Sequence, residues 1–244
     1  MAQESALVVG AGNGLGLGLL ETFYGAGFKV AAAARTLEKF DDMKELDGLD
    51  DLLSISCDAS IESDVEALFK QVIEAHGVPD VVIFNVGNLV LGPVAEMSTE
   101  DFEVSWRVGC LAGFFVGRGA AQAMLERGTG TIIFTGATAS LRGGARFACL
   151  AVPKGGLRAL AQSMAKELGP QGIHVSHVIV DGGITSRRPR PIPEALKGYD
   201  FKPSEIPDSV MQPNDMAENY LHLHRQPRNT WTHEIDLRPW VEKF

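Results

Sequence analysis

Ser5-Ala-Leu-Val-Val-Gly-Ala-Gly-Asn-Gly-Leu-Gly-Leu-Gly18 decides the fold. Ala6 to Val9 is a short apolar run of the kind shown by a strand buried on both faces. Glycines follow at 10, 12, 14, 16 and 18, and a helical pattern begins without a gap. A strand turning through glycines into a helix gathers backbone N–H groups and the positive end of the helix dipole at one point, which suits a pyrophosphate. The spacing departs from G-x-G-x-x-G, because Leu15 and Leu17 stand where a third glycine would fall. It fits G-x-x-x-G-x-G with Gly10, Gly14 and Gly16, and Asn13 and Leu15 lie within the turn. A glycine-rich turn without a ligand is the plainer reading when the motif stands alone.

Outward from this turn, short apolar runs alternate with helical patterns. Strands are predicted at 6–10, 28–34, 52–57, 79–85, 130–136, 173–180 and 231–237. Val65, Leu68, Phe69, Val72 and Ile73 repeat at helical spacing, as do Leu157, Leu160, Ala161, Met164, Ala165 and Leu168, which Gly169-Pro170 terminates. Ser98-Thr-Glu-Asp101 is a capping-box type of start for a long helix to about residue 127. Pro153 is tolerated only in a first helical turn, so the next helix is predicted to begin near 150. Alternating β and α units with near-continuous apolar strands mean a parallel sheet covered on both faces. The fold predicted is α/β: a doubly wound parallel sheet (Rossmann fold) of about seven strands, in a single domain over 1–244.

Composition narrows the partners. A formal charge of -9 on 244 residues argues against nucleic acid or an anionic membrane surface. Three cysteines, Cys57, Cys110 and Cys149, lack paired spacing and read as reduced thiols in a cytoplasmic protein. No export signal and no apolar run approaching a membrane span is apparent. The six histidines show no metal spacing, so no metal is expected.

With these landmarks assembled, the chain resembles the classical short-chain dehydrogenases/reductases from about residue 5 to 180. Gly10-x-x-x-Gly14-x-Gly16 matches the family's cofactor turn. Cys57-Asp58 closes the third strand, where the family's Asp contacts the adenine. Phe84-Asn85-Val86-Gly87 stands where the family has Asn-Asn-Ala-Gly, and Lys154 leads a family-like helix. The resemblance implies that Gly10, Asn13, Gly14, Leu15, Gly16, Arg35, Asp58, Asn85, Gly87, Lys154 and Ile184 bind a dinucleotide. It also implies a homodimer or homotetramer, packing two long helices against their copies; Gly155 and Gly156 on one of them would allow close approach. An acidic residue ending the second strand would hydrogen-bond the ribose hydroxyl of NAD and repel a phosphate there. This chain has Ala31-Ala-Ala-Ala34 and then Arg35-Thr36, so NADP(H) is favoured over NAD(H). Arg35 also reads as a solvated strand-end residue, and Asp58 as a cap or turn residue before the helix at 62.

The resemblance breaks at the catalytic set. The family uses Tyr-x-x-x-Lys, a Ser thirteen residues before the Tyr, and an Asn in the preceding long helix. Here Leu150, Ala137 and Gly109 occupy those positions, and only Lys154 survives. Carbonyl reduction builds negative charge on oxygen, and a positioned acid contributes roughly 3–5.5 kcal/mol there. Thr135, Thr138 and Ser140 flank Ala137, and strand alternation lets one of them reach the pocket. Cys149 should point elsewhere. Arg142 and Arg146 either face a substrate or lie solvated on their loop.

The tail supplies the substrate side. Asp181-Gly182-Gly183-Ile184 stands where the family has Pro-Gly, with Ile184 positioned for a backbone contact to the nicotinamide amide. A segment at about 181–213 reads as a lid. Its Arg187, Arg188 and Arg190 read as recognising an anionic small-molecule substrate, or as a solvated basic loop. Three functions remain open: an NADP-dependent oxidoreductase with a non-standard proton source, a redox-inactive cofactor-binding sensor or oligomer partner, and a lyase or isomerase.

Overall fold

Seven parallel strands form one sheet in the order β3-β2-β1-β4-β5-β6-β7. The strands are β1 Ser5–Val9, β2 Lys29–Ala34, β3 Leu53–Ser56, β4 Val81–Phe84, β5 Gly130–Thr135, β6 Ile173–Val180 and β7 Glu234–Leu237. The computed structural model describes residues 3–38, 40, 48–186 and 206–243. Each predicted run contains its strand, save that β1 begins one residue early. The 231–237 run is strand only from Glu234, since Arg228–Thr230 forms a short 3-10 turn before it.

The helices are α1 Leu15–Gly25, α2 Glu62–His76, α3 Thr99–Trp106, α4 Ala112–Leu125, α5 Ala148–Leu168 and α6 Pro213–Arg225. They divide between the two faces because alternate strand residues point to opposite sides. On one face Val8, Val30 and Ile83 pack with Leu19, Leu20 and Phe23 of α1 and Tyr220 of α6. On the other, Leu7, Phe84 and Phe134 pack with Leu68 of α2, Val116 of α4 and Leu157 of α5. Gly18 explains the closeness of α1 to α6: a Cβ there would stand 2.6 Å from the Pro213 backbone. The order reverses between β1 and β4, which opens a crevice at their C-terminal ends.

Two helix expectations need correction. The helix predicted from Ser98 to about 127 starts as expected, with the Asp101 N–H donating to Ser98 Oγ at 3.0 Å. It is then broken by a π-turn at Arg107–Leu111. Gly109 lies in that turn, and a Cβ on it would stand 2.8 Å from the Pro153 ring. The following helix begins at Ala148, near the predicted 150, but carries Pro153 in its interior rather than in its first turn. Its first turn closes early because the Phe147 carbonyl accepts from both Leu150 N (3.0 Å) and Ala151 N (2.8 Å). The bare Gly109 gives the misplaced proline ring a place to pack.

Candidate functional site

The crevice is a cleft of about 770 Å³ at the C-terminal ends of β1, β2, β3 and β4. Its floor is the turn quoted first. Gly10 adopts φ +90°, and a Cβ there would stand 2.6 Å from the Asn85 carbonyl oxygen. Only glycine therefore lets the turn approach β4. The Asn85 side chain locks the approach, donating from Nδ2 to the Gly10 carbonyl at 3.1 Å. Gly14 caps α1 without a side-chain hydrogen bond. The first N–H groups of α1, with Gly14, Leu15 and Gly16 lining the cleft, thus meet it uncovered by any side chain. A cradle of this kind fits a phosphate anion.

Arg35 and Thr36 form the wall beyond β2. Arg35 is exposed and makes no ion pair among the described residues. Asp58 lines the opposite wall, where its Oδ1 accepts from Ser60 N (2.9 Å) and Ser60 Oγ (2.7 Å). It makes a local turn rather than capping α2, whose N-cap is Ile61. Cys57 also faces the cleft. Burial, with Asp64 and Asp58 nearby, pushes its thiol up to about 11, which keeps it protonated.

Gly87 and Ile184 complete the far end. Ile184 forms a parallel bridge with Met211 that uses Gly183 O, Thr185 N and both Met211 groups, leaving its own N–H out of the bridge. Asn13 does not line the cleft: its carbonyl accepts from Ser186 Oγ at 3.2 Å. Arg187, Arg188 and Arg190 lie outside the described residues, as does most of the expected lid.

Lys154 sits behind the wall rather than in it. Its Nζ donates to Thr135 O at 2.7 Å and Val86 O at 3.3 Å, joining the ends of β5 and β4. The side chain is 6 % exposed, and burial lowers its pKa to about 8. Leu150 lies one turn earlier on α5, and neither it nor Ala137 or Gly109 offers a polar side-chain atom.

The hydroxyls expected to fill in are committed elsewhere. Thr135 Oγ1 bonds Tyr220 Oη at 3.0 Å on the opposite face of the sheet, within the core. Thr138 Oγ1 donates to Asp181 Oδ1. Ser140 Oγ accepts from Ala137 N at 3.1 Å. Cys149 points away, its Sγ donating to Met97 Sδ at 3.0 Å.

Sequence reasoning missed a buried network behind this end of the cleft. His177 on β6 is fully buried, with Nδ1 2.9 Å from Glu234 Oε2. Glu234 also accepts both Arg158 hydrogen bonds, at 2.6 and 2.7 Å. Burial outweighs the carboxylate and lowers the His177 pKa to about 4, so the ring is neutral. Its Nε2 has no partner and faces Gly136, where a methyl group would overlap it. A histidine within an apolar strand was the available signal.

Comparison with known proteins settles the ancestry. Residues 4–192 match the short chain dehydrogenase family. The chain belongs to that family. It is 31% identical to L-xylulose reductase of Bos taurus over 180 residues, 73% of this chain and 71% of that protein. A short-chain dehydrogenase from Rhodopseudomonas palustris is 37% identical, with a TM-score of 0.80 over 97% of this chain and 99% of that one. Actinorhodin polyketide ketoreductase, solved with NADPH, shares the fold with a TM-score of 0.84 at 24% identity, over 100% of both chains. The short-chain dehydrogenase reading is therefore of an oxidoreductase-type, nucleotide-binding chain.

Proposed function

We propose that this short-chain dehydrogenase binds NADP(H) in the cleft and acts as an oxidoreductase with an atypical catalytic centre. The observation that carries the reading is the wall beyond β2, where Arg35 and Thr36 face the cleft and no carboxylate stands at the strand end. A guanidinium there attracts a 2′-phosphate that an acidic residue would repel. The pyrophosphate would be held by the α1 N-terminus, the adenine by Asp58, and the nicotinamide end by Asn85, Gly87 and Ile184, all of which line the cleft or its turn. Bound, the nicotinamide supplies two-electron reduction of a carbonyl, and a solved relative in this fold holds NADPH. Lys154 holds the ends of β4 and β5 together at that end.

Calorimetric titration with NADPH, NADP, NADH and NAD tests this. The phosphorylated pair should bind at least about tenfold more tightly, a difference of about 1.4 kcal/mol, and Arg35→Ala should abolish it. Equal affinity for all four would defeat the NADP assignment, and no binding would defeat the function. A second reading, a cofactor-binding sensor or oligomer partner without turnover, is favoured by Leu150, Ala137 and Gly109 together. Leu150→Tyr with Ala137→Ser distinguishes the two. Carbonyl reduction arising from none supports the sensor, in an intact frame that lacks only its donors.

A further inference from the structure

We infer that Arg238, Pro239 and Trp240, the residues that follow β7, form a strap that holds one wall of the cleft in place and is thereby coupled to what the cleft binds. The inference rests on the cofactor reading above. It starts from Asp181, which stands where the family has a proline and does not line the cleft. Asp181 is only 5 % exposed. A carboxylate so deeply placed needs a partner at each oxygen. Thr138 Oγ1 donates to Oδ1, and Arg238 Nη2 lies 3.3 Å from Oδ2. The same guanidinium donates from Nε to Asp236 Oδ1 of β7 at 3.1 Å. Arg238 therefore ties the residue that ends β6 to the strand beside it.

The next two residues extend the hold. Pro239 lies against Gly182, where a Cβ would stand 2.6 Å from the proline ring. Trp240 Nε1 donates to the Pro207 carbonyl at 3.2 Å. Three consecutive strap residues thus touch residues 181, 182 and 207, which lie on two separate passes of the chain. Those passes are bonded to each other. Thr185 N donates to Met211 O at 3.0 Å, Met211 N to Gly183 O at 2.9 Å, and Thr185 Oγ1 to Gln212 Oε1 at 2.9 Å. Ile184, Thr185 and Ser186 line the cleft, and Ser186 Oγ reaches back to the Asn13 carbonyl in the glycine turn. Bonded groups therefore run without a gap from the strap to the turn that would hold the pyrophosphate.

The strap is held by polar contacts rather than by burial. Trp240 is 73 % exposed, so little apolar surface keeps it down. Release leaves the Asp181 carboxylate with one partner fewer, which favours the seated state. An element with few buried apolar contacts opens locally without unfolding the sheet. Seated, it pre-organises the wall at 184–186; released, it leaves a ligand to order that wall itself. A ligand in the cleft therefore favours the seated strap, and the strap tightens the ligand by the same factor, because coupling between two sites is reciprocal.

Amide hydrogen exchange read by NMR and calorimetric titration with NADPH, both on the full chain, test the strap. Arg238→Gln combined with Trp240→Ala removes two of its anchors. In the free protein this double variant should exchange the Thr185 and Met211 amides at least about fivefold faster, with those of Val8 in β1 and Ile83 in β4 unchanged. It should bind NADPH at least about fivefold more weakly than wild type. In wild type, NADPH should slow exchange at Glu242, whose N–H donates to Pro239 O at 3.0 Å and which does not line the cleft. If the double variant also loosens Val8 and Ile83, Trp240→Ala alone decides, because that indole lies outside the core. Unchanged exchange at Thr185 and Met211 overturns the inference. So does faster exchange there with NADPH affinity within about twofold of wild type. Both results leave the cofactor reading intact, whereas absence of NADPH binding by wild type defeats that reading and the coupling with it.

Discussion

Lys154 carries its charge at a cost that pH can reveal. Its folded pKa of about 8 lies below the ordinary 10.5 because burial disfavours the ammonium. Between those values the unfolded chain holds a proton that the native chain does not, so stability rises with pH across that window. The full effect is present above the unfolded value and is lost as pH falls to the folded one. The shift corresponds to about 3 kcal/mol. Urea unfolding of wild type and Lys154→Met should therefore show wild type gaining up to about that amount on the variant between pH 7 and pH 10.5. The broken bonds to Thr135 and Val86 set the offset between the two proteins, not this slope. A difference constant with pH would show that Lys154 is not buried as an ammonium. At this scale the sequence was legible wherever a residue's position comes from its place in the chain: Gly10, Arg35 and Asn85 line the cleft where spacing put them, whereas Lys154 lies behind its wall. Where a side chain spends its hydrogen bonds was not legible. Thr135, Thr138 and Ser140 look alike in a string of letters, yet each hydroxyl finds a different partner once β6, α6 and the turn at Asp181 are in place.

At the scale of elements, β5 and β6 fit each other through an exchange of size. Phe134 pairs with His177, and just past the end of β5 stands the bare Gly136, whose missing methyl leaves room for the imidazole. Gly136→Ala should destabilise the fold by about 1–3 kcal/mol through overpacking against Nε2. His177→Ala removes the clash along with the ring, so the pair should couple by about 1–3 kcal/mol in a double-mutant cycle. Additive unfolding free energies would mean that His177 moves aside freely. Strand positions were legible because period and β-branching mark a buried strand, whatever packs on it. The π-turn at Arg107–Leu111 was not, because its cause is tertiary. Gly109 meets Pro153 from another helix, and nothing local to residues 99–125 announces that contact.

For the whole molecule, the segment Thr99–Leu125 poses a choice between lipid and protein. Within its 27 residues an 18-residue window reaches a mean hydropathy of 1.3, enough by length and composition to cross a membrane. The sequence shows no uninterrupted apolar run of that length, because Arg118 and Gln122 break it. Packing shows how the segment is used. Ala112, Val116, Ala120 and Met124 are buried against the sheet, which commits that side to the core. The other side leaves Trp106 and Phe114 exposed, with Val152 of α5 also exposed. Arg118 stacks over Phe114 at 5.2 Å and pairs with Glu62, so the patch is bordered by charge rather than being uniformly oily. A face that is apolar at its centre and charged at its rim suits a protein partner better than a bilayer. We propose a second copy of the chain as that partner, with α4 and α5 at the contact. Sedimentation equilibrium without detergent should give a dimer or tetramer. Phe114→Glu combined with Val152→Glu should give a monomer that keeps its circular dichroism, because neither side chain is part of the core. A wild-type monomer at micromolar concentration, or an unchanged mass for the double variant, would assign this face another role.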